Sequence, residues 1–283
     1  MRKTLISVVG PTAIGKTKLA IELAKHYQTE IISADSRQFF KEMKIGTAVP
    51  SIEELESAPH HFIQHKSILE PYSVGDFEKD AIQLLENLFK KNEAVILVGG
   101  SGLYVDAVTK GLDTFPEISS EIREALNKKI ENKGIEELQE QLKELDPLYY
   151  DKVDIQNPHR LIRALEICIG TGKPYSSFLN KEKSIRPFKV VTVGIHAERD
   201  IIYDRINQRV DLNALQTVGY KELFNYLDEK WTLDFAISEI KKNTRRFAKR
   251  QLTWFRKNEN TIWVDYNSKI AEIINTLEKV RNA

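Results

Sequence analysis

The sequence predicts an α/β fold: a mainly parallel sheet covered by helices on both faces, with one helical insertion. Three observations predict it. Short β-type runs recur along the chain, helical patterns lie between most of them, and the first run leads directly into a glycine-rich turn. Strands that alternate with helices need crossover connections, and crossovers leave successive strands parallel. The runs, in order, are "LISVV" (5–9), "EIISAD" (30–35), "HFIQHKSI" (61–68), "AVILV" (94–98), "VVTVGI" (190–195) and "TIWVD" (261–265).

The alternation stops after "GLDTFPEIS". Ser120 to Lys143 and Asn157 to Ile169 both read as helices with no strand between them, so 116–187 is expected to be a helical insertion in a core made of 1–115 and 188–283. Asn157 suits an N-cap with Pro158 in the first turn, and Gly170, Gly172 and Pro174 supply the stop. At the C-terminal end Ser268 is expected to cap a helix whose Ile270, Ile273, Ile274, Leu277 and Val280 repeat at helical spacing.

Composition narrows the class. The chain has 283 residues, 41% hydrophobic and 29% charged, with a net charge of +1, which suits a globular protein able to bury a full core. No apolar run approaches the ~18 residues of a membrane span, and the N-terminal run is too short for a signal region, so a cytoplasmic protein is expected. Cys168 is the only cysteine. It excludes an internal disulfide and a cysteine-based zinc cluster, and in its apolar helical stretch it reads as a small core residue.

"GPTAIGKT" carries the first chemical signal. Gly10, Gly15, Lys16 and Thr17 satisfy G-x-x-x-x-G-K-[ST], with a strand entering and a helix leaving, the context this phosphate-binding loop requires. Backbone N–H groups of Gly10, Thr12, Ala13, Ile14 and Gly15 can converge on phosphate oxygens, Lys16 can reach the outer phosphate, and Thr17 can help hold Mg²⁺. The expected architecture is thus a P-loop NTPase-like three-layer fold. A nucleotide-hydrolysing protein would normally place a metal-binding acid at the end of a second apolar strand, yet "AVILV" runs into "GGSG" and Asp106 lies further on. The other acid is Asp35 in "IISADSRQ", at the carboxyl end of a strand, where ligands collect in open α/β sheets. It either caps the turn through Ser36 or takes part in chemistry.

Residues 241–257, "KKNTRRFAKRQLTWFRK", hold eight basic side chains and no acidic one. Wound as a helix, Lys242, Arg245, Arg246, Lys249, Arg250, Arg256 and Lys257 fall on one half, while Phe247, Ala248, Trp254 and Phe255 fall on the anchoring half. Such a face fits a polyanion better than bare solvent. In "NPHRLIRALEI", Leu161, Ile162, Leu165 and Ile169 form an inward stripe, with Glu166 one turn beyond Arg163 as its ion-pair partner.

Taken together, "GPTAIGKT", "IISADSRQ", "IGTAVP", "VGGSGLY", "NPHRLIRALEI", "RINQRVD", "VGYKEL" and "TRRFAKRQLTWFR" resemble the tRNA dimethylallyltransferase family in chain order and over nearly the whole length. The resemblance implies transfer of a dimethylallyl group from dimethylallyl diphosphate to N6 of the adenosine 3′ of the anticodon, with release of diphosphate. The loop would then cradle a leaving group, and the missing strand-end acid has a reason: the bond that breaks is carbon to oxygen. By the same likeness Asp35 matches the family's base, Arg209 its diphosphate-binding arginine ahead of Arg205, and Thr17 the residue that holds Mg²⁺. Contacts to the tRNA anticodon stem-loop would come from Asp35, Ser36, Arg37, Gln38, Ser101, Arg123, His159, Arg160, Leu161, Ile162, Arg163, Arg245, Arg246, Phe247, Ala248, Lys249 and Arg250, and the protein would be a monomer.

One departure stands out. Where the family carries a further segment between "RVD" and "ALQTVGYKEL", Asp211 is followed directly by "LNALQTVGYKEL". Either the protein is shortened at the junction of residues 211 and 212 or a mobile surface segment is missing from the sequence there, and the second reading is preferred. Two rival functions use the same loop: an adenylate isopentenyltransferase acting on a free nucleotide, and a P-loop kinase. The first has little use for the basic helix, and the second predicts turnover of a terminal phosphate.

Overall fold

The computed structural model describes residues 3–43, 47–179, 185–198, 200–202, 204 and 220–283. Arg205, Arg209 and the 211–212 junction lie outside the described residues. The chain divides into two compact units, Met1–Gly111 with Ile185–Ala283, and Leu112–Ser184.

The larger unit is built on six strands: β1 (Thr4–Val9), β2 (Ile31–Ser33), β3 (His60–His61), β4 (Ala94–Val98), β5 (Lys189–His196) and β6 (Ile262–Asp265). They stand in the order β3-β2-β4-β1-β5-β6, and every pairing is parallel. Every residue of β1 and β4 is buried, as expected of strands covered on both faces. Alternate side chains feed two separate cores. Ile6, Val8, Ile96 and Val193 meet α1 (Lys16–Tyr27) and the C-terminal helix Ile270–Asn282, whereas Leu5, Val9, Val95 and Leu97 meet α3 (Val74–Leu88) and α4 (Gly102–Lys110). The short α2 (Ile52–Ser57) precedes β3 and starts in a capping box between Ser51 and Glu54.

Two expectations are corrected in this unit. The run 61–68 is not a strand, since β3 stops at His61. Phe62 and Gln64 adopt φ of 62° and 47°, which breaks the extended ladder and turns the Phe62 ring onto Phe77, 5.2 Å between centroids. Ser268 does not cap the last helix. Lys269 takes that position, and no side chain bonds the helix start.

The smaller unit contains α5 (Ser120–Lys133), α6 (Glu136–Leu145), α7 (Pro147–Tyr150) and α8 (Pro158–Thr171). The single helix expected over 120–143 is two, broken at Gly134 with φ 82°. Asp146 ends α6 and caps α7 by accepting from the Tyr149 N–H at 3.0 Å, and it also accepts from the Ser176 N–H at 2.6 Å. The Asn157 side chain accepts from the Arg160 N–H at 3.3 Å, and Gly172 closes α8 in the left-handed region. Leu126, Leu138, Leu142, Leu161, Ile162 and Leu165 form this unit's own core. Ile169, placed on the same stripe by its spacing, is exposed near the end of the helix. Cys168 is buried in α8 as a free thiol. Two further helices belong to the larger unit, α9 (Tyr220–Leu227) and α10 (Leu233–Phe255), and the C-terminal helix is α11. Among the described residues no helix is long and apolar enough to cross a membrane.

Candidate active site

In this strand order the neighbours β1 and β4 send their connections in opposite directions, β1 to β2 on one side and β4 to β5 on the other, so a crevice opens at their carboxyl ends. Three turns meet there. The first, Gly10 to Gly15, leads into α1, whose first turn holds no acid and whose N–H groups carry partial positive charge. The Lys16 ammonium donates to the Pro11 carbonyl at 2.8 Å across this loop.

The second turn follows β2. The Gln38 N–H donates to the Asp35 carbonyl at 2.9 Å and the Arg37 N–H to Asp35 Oδ1 at 3.2 Å. That arrangement pins one carboxylate oxygen. Burial pushes the Asp35 carboxyl above the usual carboxylate range, against the Arg37 N–H and the Lys16 and Arg37 charges, which pull it back. Gln38 is buried and fixed at both ends of its amide: Ser33 Oγ donates to its Oε1 at 2.9 Å, and its Nε2 donates to the Ala48 carbonyl at 2.8 Å.

The third turn is the "GGSG" after β4. Ser101 stands at the N-cap of α4 but makes no side-chain cap. Its hydroxyl instead accepts from the Ser36 N–H at 3.2 Å and lies 3.3 Å from the Ser36 hydroxyl. The second and third turns are therefore tied to each other.

The wall opposite is α10. Thr232 caps it, and Ala236, Ile240, Thr244, Ala248, Gln251 and Phe255 are its buried stripe. The helix comes close because of glycines. A Cβ on Gly102 would overlap the Trp254 indole, and one on Gly100 would overlap the Gln251 amide. Gln251 Oε1 accepts from the Thr12 N–H at 2.8 Å while its Nε2 donates to the Gly100 carbonyl at 2.8 Å. One side chain thus joins the phosphate loop, the glycine turn and the basic helix. The Thr12 amide is already engaged.

These elements enclose a cavity of about 290 Å³, lined by Thr12, Asp35, Arg37, Gly100, Phe247 and Gln251 among others, near the lower end of common ligand pockets, about 300 Å³. A smaller hollow holds Lys16, Thr17 and Asp35 together, so Asp35 borders both spaces. Phe247 was expected on the anchoring side of its helix. It lines the cavity, with the guanidiniums of Arg37 and Arg250 at 5.1 and 5.8 Å from its ring centre. Arg246, Lys249 and Arg250 are exposed. Asp106 accepts from Trp254 Nε1 at 3.0 Å and pairs with Lys110 at 2.8 Å, so that acid braces the helix wall.

In the smaller unit Arg123 and Arg163 both reach the buried Glu166, at 2.7 and 3.2 Å, and the Arg163 guanidinium lies 5.1 Å from the Phe115 ring centre. Hydrogen bonds from the two arginines outweigh burial and hold the Glu166 carboxyl below its ordinary range. His159 and Arg160 are exposed. Leu161, Ile162 and Ala248, expected to touch tRNA, are buried in the cores.

Sequence reasoning did not single out Gln251 or His60, and it placed Trp254 only among the anchoring residues of its helix. A readable sign existed for Gln251: it is the polar residue in a stripe of otherwise small or apolar positions at 244, 248, 251 and 255.

Fold and site together define a phosphate-loop α/β protein with a second, acid-bearing cavity beside the loop. A protein-family model described as IPP transferase matches residues 38–213 and 211–258, two stretches that meet at the 211–212 junction. The tRNA dimethylallyltransferases of Flavobacterium psychrophilum and Flavobacterium johnsoniae are 58% and 59% identical to the chain; the alignments cover 97% and 96% of it and 99% and 96% of those proteins. Among solved structures, a tRNA isopentenylpyrophosphate transferase from Bacillus halodurans is similar with a TM-score of 0.69 at 37% identity, over 98% of this chain and 96% of that one. A eukaryotic dimethylallyltransferase acting on tRNA gives a TM-score of 0.76 at 25% identity, over 93% of this chain and 74% of that one. The chain belongs to the IPP transferase family.

Proposed function

We propose that the protein transfers a dimethylallyl group from dimethylallyl diphosphate to N6 of the adenosine 3′ of the anticodon in tRNA, releasing diphosphate. The observation that carries this reading is the position of Asp35, which borders both the hollow at Lys16 and Thr17 and the cavity walled by the basic helix. One acid can thereby face an incoming amine while the phosphate loop holds the leaving group.

The chemistry follows from the parts. An adenine amino group is a weak nucleophile because its lone pair is delocalised into the ring. As its nitrogen bonds to the allylic carbon, the C–O bond to diphosphate breaks and an N–H proton passes to Asp35. Burial has already made that carboxylate a stronger base than usual. Negative charge growing on the diphosphate meets Lys16 and the amides at the start of α1, donors oriented before the reaction begins. Arg246, Lys249 and Arg250 supply phosphate contacts for the RNA, and the Phe247 ring between two guanidiniums offers a face for a base taken out of its stack. The smaller unit offers RNA contacts of its own through Arg123, His159, Arg160 and Arg163.

Magnesium fits the donor set. Thr17, which carries a hard hydroxyl oxygen, borders the hollow, and the described residues hold no group of three His, Cys, Asp or Glu that could cage a metal. Mg²⁺ is commonly held by few protein oxygens, with substrate phosphates and water completing its shell. Thr17 would hold it, and the ion would neutralise charge on the diphosphate. The protein is expected to act as a monomer in the cytoplasm.

The test is incubation with labelled dimethylallyl diphosphate and either unmodified tRNA or AMP. Label in tRNA alone is expected, and Asp35→Asn should abolish it while leaving tRNA binding in place. Label in AMP, or steady hydrolysis of nucleoside triphosphates with the prenyl donor untouched, overturns the reading.

A further inference from the structure

His60, in β3, borders the hollow at the reaction site, and the mechanism above makes no use of it. Its neighbour His61 turns the other way, to Glu30 at 2.6 Å. The Nδ1 of His60 lies 2.7 Å from the Ala58 carbonyl. A carbonyl only accepts, so Nδ1 carries the hydrogen and Nε2 of the neutral ring is a bare lone pair. Burial lowers the pKa of this imidazole and favours the neutral ring, against the Ala58 hydrogen bond and the Glu54 charge, which pull it back up.

Nε2 is out of contact with solvent and has no hydrogen-bond partner among the described residues. An acceptor in that position is satisfied only by a donor from elsewhere. The hollow it borders, shared with Lys16, Thr17, Ser33, Asp35 and Gly100, has a volume of about 30 Å³. That is room for about one water, and the lining offers the several polar partners a buried water needs. The Ser33 hydroxyl does not serve Nε2, because it donates to Gln38.

We propose that His60 is a positioning residue for the transfer reaction, its Nε2 anchoring one buried water that braces the Asp35 carboxyl. The water gives one hydrogen to Nε2. Its second hydrogen meets Asp35 while the acid is ionised, and its oxygen accepts the Asp35 O–H once the amine proton has arrived. No proton leaves the pair, and the hydrogen bonds simply reverse. With Oδ1 tied to the Arg37 N–H, this water is a second constraint on the carboxyl group. The inference rests on Asp35 being the base.

Two substitutions separate this role from simple structural support. His60→Asn keeps a donor near Nδ1 for the Ala58 carbonyl and removes the acceptor at Nε2. His60→Gln keeps an acceptor near Nε2 and gives up the Ala58 bond. Single-turnover transfer to an anticodon stem-loop, with both substrates saturating, should fall ~10- to 100-fold in His60→Asn and less than ~3-fold in His60→Gln, since a poorly held base can cost on the order of 100-fold. Dissociation constants for RNA and for diphosphate should change little in either. The reverse order of rates, equal losses in both, or a loss that follows binding or thermal stability overturns the proposal. Asp35→Asn is measured alongside: if it retains transfer, the assignment of the base fails, whatever His60 does.

Discussion

Gln251→Met tests whether one amide holds the phosphate loop to the basic helix. The substitution keeps the volume of the side chain and removes two hydrogen bonds of 2.8 Å, one from the Thr12 N–H and one to the Gly100 carbonyl. Their costs differ. Thr12 borders the cavity and its N–H can turn to water, a loss of about 0.5–1.5 kcal/mol, whereas Gly100 is buried and its orphaned carbonyl costs about 1–3 kcal/mol. The sum is about 1.5–4.5 kcal/mol, and at roughly 2 °C per kcal/mol for a chain of this size the melting temperature should fall by ~3–9 °C. The affinity for diphosphate should drop as well, because the loop has lost a fixed point. Thermal melts followed by circular dichroism and titration calorimetry with diphosphate measure the two effects. A melting temperature unchanged within about 1 °C, or a fall in stability with diphosphate affinity intact, refutes the reasoning. Gln251→Glu adds a sign test. Its carboxylate has no hydrogen for the Gly100 carbonyl, and burial should raise its folded-state pKa above the ordinary value. Its stability relative to Gln251→Met should then be greatest at acid pH and decline as pH rises through that raised value.

Replacing Arg246, Lys249 and Arg250 with Ala should weaken tRNA binding and reduce the slope of log affinity against log salt by ~2, at about 0.7 for each phosphate no longer neutralised; filter binding from low to moderate salt reads it, and an unaltered slope removes the helix from the RNA surface. Asp35 carries a raised folded-state pKa, so ionising it costs stability as pH climbs from the unfolded carboxylate value through the folded one. Asp35→Asn should therefore melt higher than the parent at neutral pH and lose that advantage at acid pH, while being inactive throughout. Equal pH dependence of the two melts would show that the carboxyl is not desolvated. Glu166→Gln leaves Arg123 and Arg163 facing a neutral amide; both arginines are partly exposed, at 51% and 40%, so about 1–2 kcal/mol is expected instead of the larger cost of a fully buried pair. Because the Glu166 pKa is lowered, the stability difference should vanish as pH falls through its folded-state value, as urea denaturation at several pH values would reveal.

What the sequence determined by itself was local. The phosphate loop is a run of eight residues whose geometry depends on its own glycines and on the strand and helix beside it, so the motif sufficed. The same holds for α8, where Asn157, Pro158 and Gly172 act within one turn of the helix they bound. Alternating strands and helices carried the fold class, since a parallel pairing has no other way to connect. Where reading failed, the deciding forces were short exceptions or distant partners. Gly134 and the left-handed Phe62 and Gln64 interrupt patterns that periodicity would continue. Phe247 belongs to an apolar face by helical angle, but a cavity lies on that side and two guanidiniums cover its ring. Gln251 meets Gly100 across 151 residues and Thr12 across 239. No sequence window contains such a pair. Tertiary packing alone brought the helix close enough for a single amide to bond both turns, and it alone left His60, at the hollow that Asp35 also borders, with an unpartnered Nε2, because burial and the absence of a donor are properties of the assembled walls.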